Sequence, residues 1–174
     1  MPTIISLFFS LFLIFGTNSE ENIQTISNDS ITTYYLIRHA EKDRSNSKNQ
    51  DPVLTEEGLE RAINWASVLK DIQFDAVYST NYNRTKQTAQ PLAESQGLDI
   101  LEYDANNLYS AAFKKATQAQ TVLVVGHSNT TPQFVNAILG REKYQNIDDS
   151  ENGALFIVQV LRDGSVQSQV IYIN

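Results

Sequence analysis

The chain has 174 residues, 41% of them hydrophobic, no cysteine and a formal net charge of −7. At that length one domain with its own core is the default. The missing cysteines exclude disulfides, thiolate metal sites and cysteine-linked lipid. The acidic balance argues against nucleic acid and requires any anion site to be a local cluster of cations.

Ile4 to Phe15 is apolar apart from Ser6 and Ser10. It is shorter than the roughly 20 residues a bilayer span needs. Thr17 and Ser19 stand at cleavage spacing before Glu20, so 1–19 reads as a secretory signal peptide, although nothing before the apolar run is basic. The expected location is therefore periplasmic or secreted, with no stable membrane insertion once the signal is removed. Residues 20–31 read as a polar linker, and 32–174 as the domain.

Thr32 to Ile37 is a β-branched and aromatic run, a buried strand that ends in Arg38-His39. Asp43 to Asp51 has loop composition. Thr55 is a good N-cap, Glu56 and Glu57 suit a first helical turn, and Leu59, Ala62, Ile63, Ala66 and Leu69 recur at helical spacing. The spacing predicts a helix over 56–70 with Trp65 off its apolar stripe, packing at the flank. Phe74 to Ser79 is a second strand, followed by turn formers and a helix from Arg84 to about Gln96, which Pro91 is expected to kink or restart. Gly97 suits its C-cap.

Leu98 to Glu102 predicts a short third strand and Asn107 to Gln120 a helix. Thr121 to Val125 has the continuous apolar character of a strand buried on both faces. Gly126-His127-Ser128-Asn129 turns into a helix over Pro132 to Leu139, closed by Gly140. Ala154 to Leu161 and Val166 to Ile173 are strands joined around Asp163-Gly164, a hairpin signal. This order predicts an α/β three-layer sandwich: a mainly parallel central sheet, helices on both faces and a C-terminal β-hairpin at an edge.

The chain holds only two histidines, His39 and His127, and each follows a core strand. In open α/β sheets, ligands gather at the carboxyl ends of the strands. Three such ends supply Arg38 and His39, Ser79 to Arg84, and His127 to Asn129. Guanidinium forks bind phosphate oxygens, and a histidine kept neutral by nearby cations has a ring nitrogen free to attack phosphorus. Ser79 reads as a turn residue. Glu41 and Lys42 read as solvated loop charges, with Lys42 in reach of the pocket mouth. Tyr82, Tyr103 and Tyr109 are candidates to line an entrance.

Arg38-His39-Ala40, LTEEGLERA at 54–62, VYSTNYNRTKQTA at 77–89 and VVGHSN at 124–129 together resemble the histidine phosphatase superfamily, the phosphoglycerate mutase-like clan. The resemblance runs from about Thr32 to Gly140. Ala40 stands where the family usually has Gly, a variant similar to the small SixA-like branch. The resemblance implies a phosphohistidine intermediate on His39. It also implies that Arg38, Arg84 and His127 hold the phosphoryl group, with Ser128 as a further contact, and that no metal or other cofactor takes part. Its acid, which protonates the leaving oxygen, is not placed securely: Asp104 is slightly preferred to Glu102, and the SixA-like branch often lacks an obvious one.

The expected function is that of an exported phosphomonoesterase with a shallow, water-open site. Its partner would be a phosphorylated small molecule or phosphoprotein. The rivals are a phosphoester-binding module without turnover and a phosphoglycerate-type mutase. A serine esterase built on Gly126-His127-Ser128 fails, because no histidine follows Ser128 in the order such triads take.

Overall fold

The computed structural model describes residues 31–173. The predicted signal peptide and nearly all of the linker lie outside the described residues. The elements run β1 (Thr32–Arg38), α1 (Glu56–Val68), β2 (Ala76–Ser79), α2 (Asn83–Gln96), β3 (Ile100–Glu102), α3 (Ala111–Ala116), β4 (Thr121–Gly126), α4 (Thr130–Leu139), β5 (Ala154–Val160) and β6 (Val166–Tyr172). The six strands form one sheet in the order β3-β2-β4-β1-β5-β6. β3, β2, β4 and β1 are parallel, and β5 and β6 join antiparallel beyond β1.

Alternation along β4 shows how the layers form. Val122 and Val124 face one side with Phe113 of α3 and Phe134, Val135 and Ile138 of α4. Leu123 and Val125 face the other with Trp65 and Leu69 and with Ala89, Leu92 and Ala93 of α2. A strand covered on both faces has no polar side, which accounts for its unbroken apolar sequence.

The buried face of α1 is rotated from the predicted one, although Ala62 and Leu69 of the predicted stripe are buried. Gly58, Ala62 and Trp65 are buried, whereas Leu59 and Ile63 are 45% and 62% exposed. The cause lies at Gly58. A Cβ there would come within 2.2 Å of the Glu41 carbonyl oxygen, so α1 can lie against segment 41 only on its Gly58 side. That rotation turns Leu59 and Ile63 outward and drives Trp65 (2% exposed) into the core.

The helix predicted over 107–120 is confined to Ala111–Ala116. Tyr109 has a positive φ of 46°, and Ser110 caps the helix by accepting from the Phe113 amide. Around Pro91 the outcome is simpler: α2 continues through it as one element. Gly97 and Gly140 close their helices in the left-handed conformation, as expected.

Candidate active site

Strand register brings the two histidines together. Arg38 pairs with Gly126 across parallel β1 and β4, so the next residues, His39 and His127, emerge side by side. The His39 amide donates to the Gly126 carbonyl at 2.9 Å, and the two rings lie 5.4 Å apart between centroids. On the other flank Ser79 of β2 pairs with Val125, which places Thr80 next to His127. Residues up to 89 positions apart in sequence thus meet at one sheet edge.

Each ring has a defined proton. His39 Nδ1 lies 2.8 Å from the Ala40 carbonyl oxygen. A carbonyl only accepts, so Nδ1 carries the hydrogen and Nε2 keeps its lone pair. Burial above all, and then His127, Arg38 and Arg84, push the His39 pKa down to about 3, against the opposing pull of the Ala40 carbonyl. The ring is 4% exposed and neutral at physiological pH.

His127 Nε2 lies 3.0 Å from Thr80 Oγ1, while Arg84 Nη2 approaches its Nδ1 at 3.5 Å. An arginine only donates, so the proton of His127 belongs on Nε2. Burial first, then Arg84, Lys42 and Arg38, hold its pKa at about 4. Thr80 meets Thr85 through the hydroxyls at 3.0 Å, and Tyr82 stands edge-on to the His127 ring with Arg84 over its face at 4.3 Å.

The arginines are less free than the sequence suggested. Arg38, 2% exposed, gives Nη1 to the backbone carbonyls of Asp148, Asp149 and Glu151. Its Nη2 donates to the Asp149 carboxylate at 2.7 Å. Its Nε–H is buried and without a partner among the described residues. Arg84 has a looser counter-ion, Asp51 at 3.6 Å, and likewise retains a buried, unpartnered Nε–H.

An open cavity of about 600 Å³ is lined by Thr80, Tyr82, Arg84, Glu102, Asp104 and His127, among others. His39 and Arg38 do not line it; they sit beside it, enclosed, where a shallow, water-open nucleophile was expected. Of the two acid candidates, Glu102 is paired with Lys86 at 2.7 Å. Asp104 accepts from its neighbour Asn106 through Oδ1, leaving Oδ2 uncommitted. Ser128 does not line the cavity, whereas Asn129 and Thr130 do; its carbonyl instead receives the Ile147 amide at 2.8 Å.

Tyr82 is at the entrance as expected, and Tyr103 lines the same cavity. Tyr109 packs edge-on against Tyr34 in the core on the α3 side. Glu41 is not a solvated charge: it pairs with Arg61 at 2.7 Å and receives the Asn152 amide group. Thr80 was not singled out from sequence, and only its place after a strand end marked it. The Ala40 methyl packs in a small buried cluster with Leu54 and Ala62.

Known proteins share parts of this sequence and this fold. Residues 34–106 match the model of the histidine phosphatase superfamily (branch 1). A curated Escherichia coli O1:K1 protein named "Probable phosphoglycerate mutase GpmB" is 29% identical over 140 residues, which cover 75% of this chain and 65% of that protein. Among solved structures, phosphoglycerate mutase from Bacillus anthracis superposes with a TM-score of 0.62 at 19% identity, covering 83% of this chain and 94% of that one. The protein histidine phosphatase SixA complexed with tungstate gives 0.63 at 16% identity, covering 80% and 96%.

Proposed function

We propose that the chain is a member of the histidine phosphatase superfamily, whose model it matches over residues 34–106, and that it is a phosphomonoesterase working through a phosphohistidine on His39. The observation that carries this reading is the pairing of two neutral imidazoles 5.4 Å apart with two arginines that each keep a buried, unmet Nε–H. Unmet buried donors cost stability, and a tetrahedral dianion is the ligand they suit.

In the proposed reaction the Nε2 lone pair of His39 attacks phosphorus. A P–N bond forms as the P–O bond to the leaving group breaks, and the leaving oxygen takes up a proton. Asp104 is the better placed donor, since its Oδ2 faces no protein partner while Glu102 is tied to Lys86. Water entering through the open cavity then attacks phosphorus, releasing orthophosphate and returning the electron pair to Nε2. A bound dianion offsets the burial and the cationic repulsion that keep His127 neutral, so binding favours a proton on its Nδ1 and a further charged donor to the phosphoryl oxygens.

Two relatives support neighbouring readings. The curated mutase name favours phosphoryl transfer between hydroxyls. Against it stands an open cavity beside His127, whose ring lies 5.4 Å from that of His39 and which brings water to this end of the sheet. The SixA resemblance and the compact three-layer core support the small SixA-like branch. The apolar run at 4–15 supports work outside the cytoplasm.

The test is steady-state hydrolysis of a panel of phosphomonoesters by the wild type and His39→Ala, together with mass spectrometry of acid-quenched protein. We expect loss of about 10³-fold or more in the variant and a phosphorylated histidine only in the wild type. Equal rates in the two proteins would reject a nucleophilic His39. Isomerisation of phosphoglycerate faster than phosphate release would favour the mutase.

A further inference from the structure

Four cations gather at this end of the sheet: Arg38, Lys42 and Arg84 act on His127, and Arg44 stands near Lys42. Three of them have a carboxylate within 4 Å. Arg38 and Arg44 share Asp149, each at 2.7 Å, and Arg84 faces Asp51 at 3.6 Å. Lys42 alone makes no ion pair or side-chain hydrogen bond among the described residues, although it is half-buried.

Its position is not that of a loose loop side chain. Lys42 bridges Leu54 in an antiparallel pairing. The flanking bonds, Thr55 amide to Glu41 carbonyl at 2.9 Å and Asp43 amide to Val53 carbonyl at 2.8 Å, fix the backbone on either side. This short ladder begins two residues after His39. Glu41, the preceding residue, is turned to Arg61 and Asn152. Burial first, then Arg84, Arg44 and Arg38, hold Lys42 below its ordinary range against the opposing pull of Asp149, and Lys42 in turn depresses His127. A half-buried ammonium among three guanidinium groups is unfavourable unless an anion joins them.

Resting on the phosphate site proposed above, we infer that Lys42 is a further catalytic residue, whose ammonium contacts the transferred phosphoryl group. Four cations against Asp51 and Asp149 leave the cluster with two surplus charges, which a phosphomonoester dianion matches. Of the two, Lys42 carries the charge that is not already shared with a carboxylate. It holds the dianion in the ground state and stays on its oxygens as the P–O bond breaks.

The test reads binding and turnover separately. Calorimetric titration of inorganic phosphate into the wild type, Lys42→Met, Lys42→Gln and Lys42→Arg is paired with kcat/KM for p-nitrophenyl phosphate. Removing the charge is expected to weaken phosphate about tenfold or more and to lower kcat/KM by a similar or larger factor. Lys42→Arg recovers most of both. Lys48→Met, which deletes an exposed loop charge, leaves both within twofold.

Phosphate affinity within twofold of wild type in Lys42→Met and Lys42→Gln would overturn the assignment. So would an equal loss in Lys48→Met, which would reduce the effect to net charge. Tight, Lys42-dependent phosphate binding by a wild type that hydrolyses no ester would sink the phosphatase reading and leave the Lys42 contact standing.

Discussion

The two walls of the site are built differently. On the wall formed by β1, β4 and the end of β2, Arg38 and His127 are oriented by partners from elsewhere in the chain, and His39 by the carbonyl of the adjoining Ala40. Arg38 is held by the segment 148–151, and His127 by Thr80. On the opposite wall, Glu102 and Asp104 are engaged by Lys86 and Asn106 at the surface. A group fixed by the packed sheet keeps its geometry as long as the fold persists. A group on an exposed turn keeps it only while a weak local bond lasts. In the proposed reaction, phosphoryl capture therefore falls to the first wall, and leaving-group assistance to the second.

The comparison breaks most visibly at Arg84. Arg84→Met is expected to lower kcat/KM by about 10²-fold, the scale of one or two charge-assisted hydrogen bonds. It also removes the largest charge acting on His127, so that imidazole, now near 4, is expected to titrate closer to its ordinary 6.5. The sign carries into stability. With the folded pKa depressed, the unfolded chain binds more protons between pH 6.5 and about 4, so stability falls as pH falls through that window. Arg84→Met narrows the window from below. Histidine Hε1 titration by NMR and thermal melts at pH 7 and pH 5 check both; an unmoved His127 would show that Arg84 does not set its charge.

Thr80→Val tests the same wall more gently. It removes the acceptor of the His127 Nε2–H while leaving shape nearly unchanged, and kcat is expected to fall about tenfold with little change in KM. An unaltered kcat would mean that ring packing against Tyr82 suffices to hold His127. Asp149→Asn has the opposite sign: it leaves the three carbonyls on Arg38 Nη1 in place and removes the carboxylate that competes with substrate oxygens. Phosphate is expected to bind more tightly, by about fivefold at most for a partner this exposed. Weaker binding in a calorimetric titration would show that Asp149 orients Arg38 rather than competing for it.

The difference between the walls also explains what the sequence disclosed. A strand followed by Arg-His or Gly-His can be read locally, and parallel register then fixes the distance between the rings, so the pairing of the two histidines was legible. Trp65 was misplaced because the face of α1 is chosen by the Gly58–Glu41 contact, which no helical periodicity encodes. The commitment of Arg38 to residues 148–151 was illegible for a similar reason: its acceptors are mostly backbone carbonyls, and backbone has no residue signature. Thr80 was hidden among other turn formers, since its role depends on β2 pairing in register with β4.

The smallest expected effect lies on the second wall. Asp104 lines the cavity but is exposed and bonded to its own turn. Water in an open cavity competes with it as proton donor. Asp104→Asn is therefore expected to slow hydrolysis of an alkyl phosphate only about threefold, well short of the about 10²-fold a positioned acid supplies. It should leave an aryl phosphate, whose leaving group needs no proton, unchanged. The ratio of the two rates is the diagnostic quantity, because damage to the first wall would depress both substrates alike. A fall of 10²-fold or more confined to the alkyl ester would mean that substrate binding orders the turn into a working acid, and the contrast between the walls would then hold only for the unliganded protein.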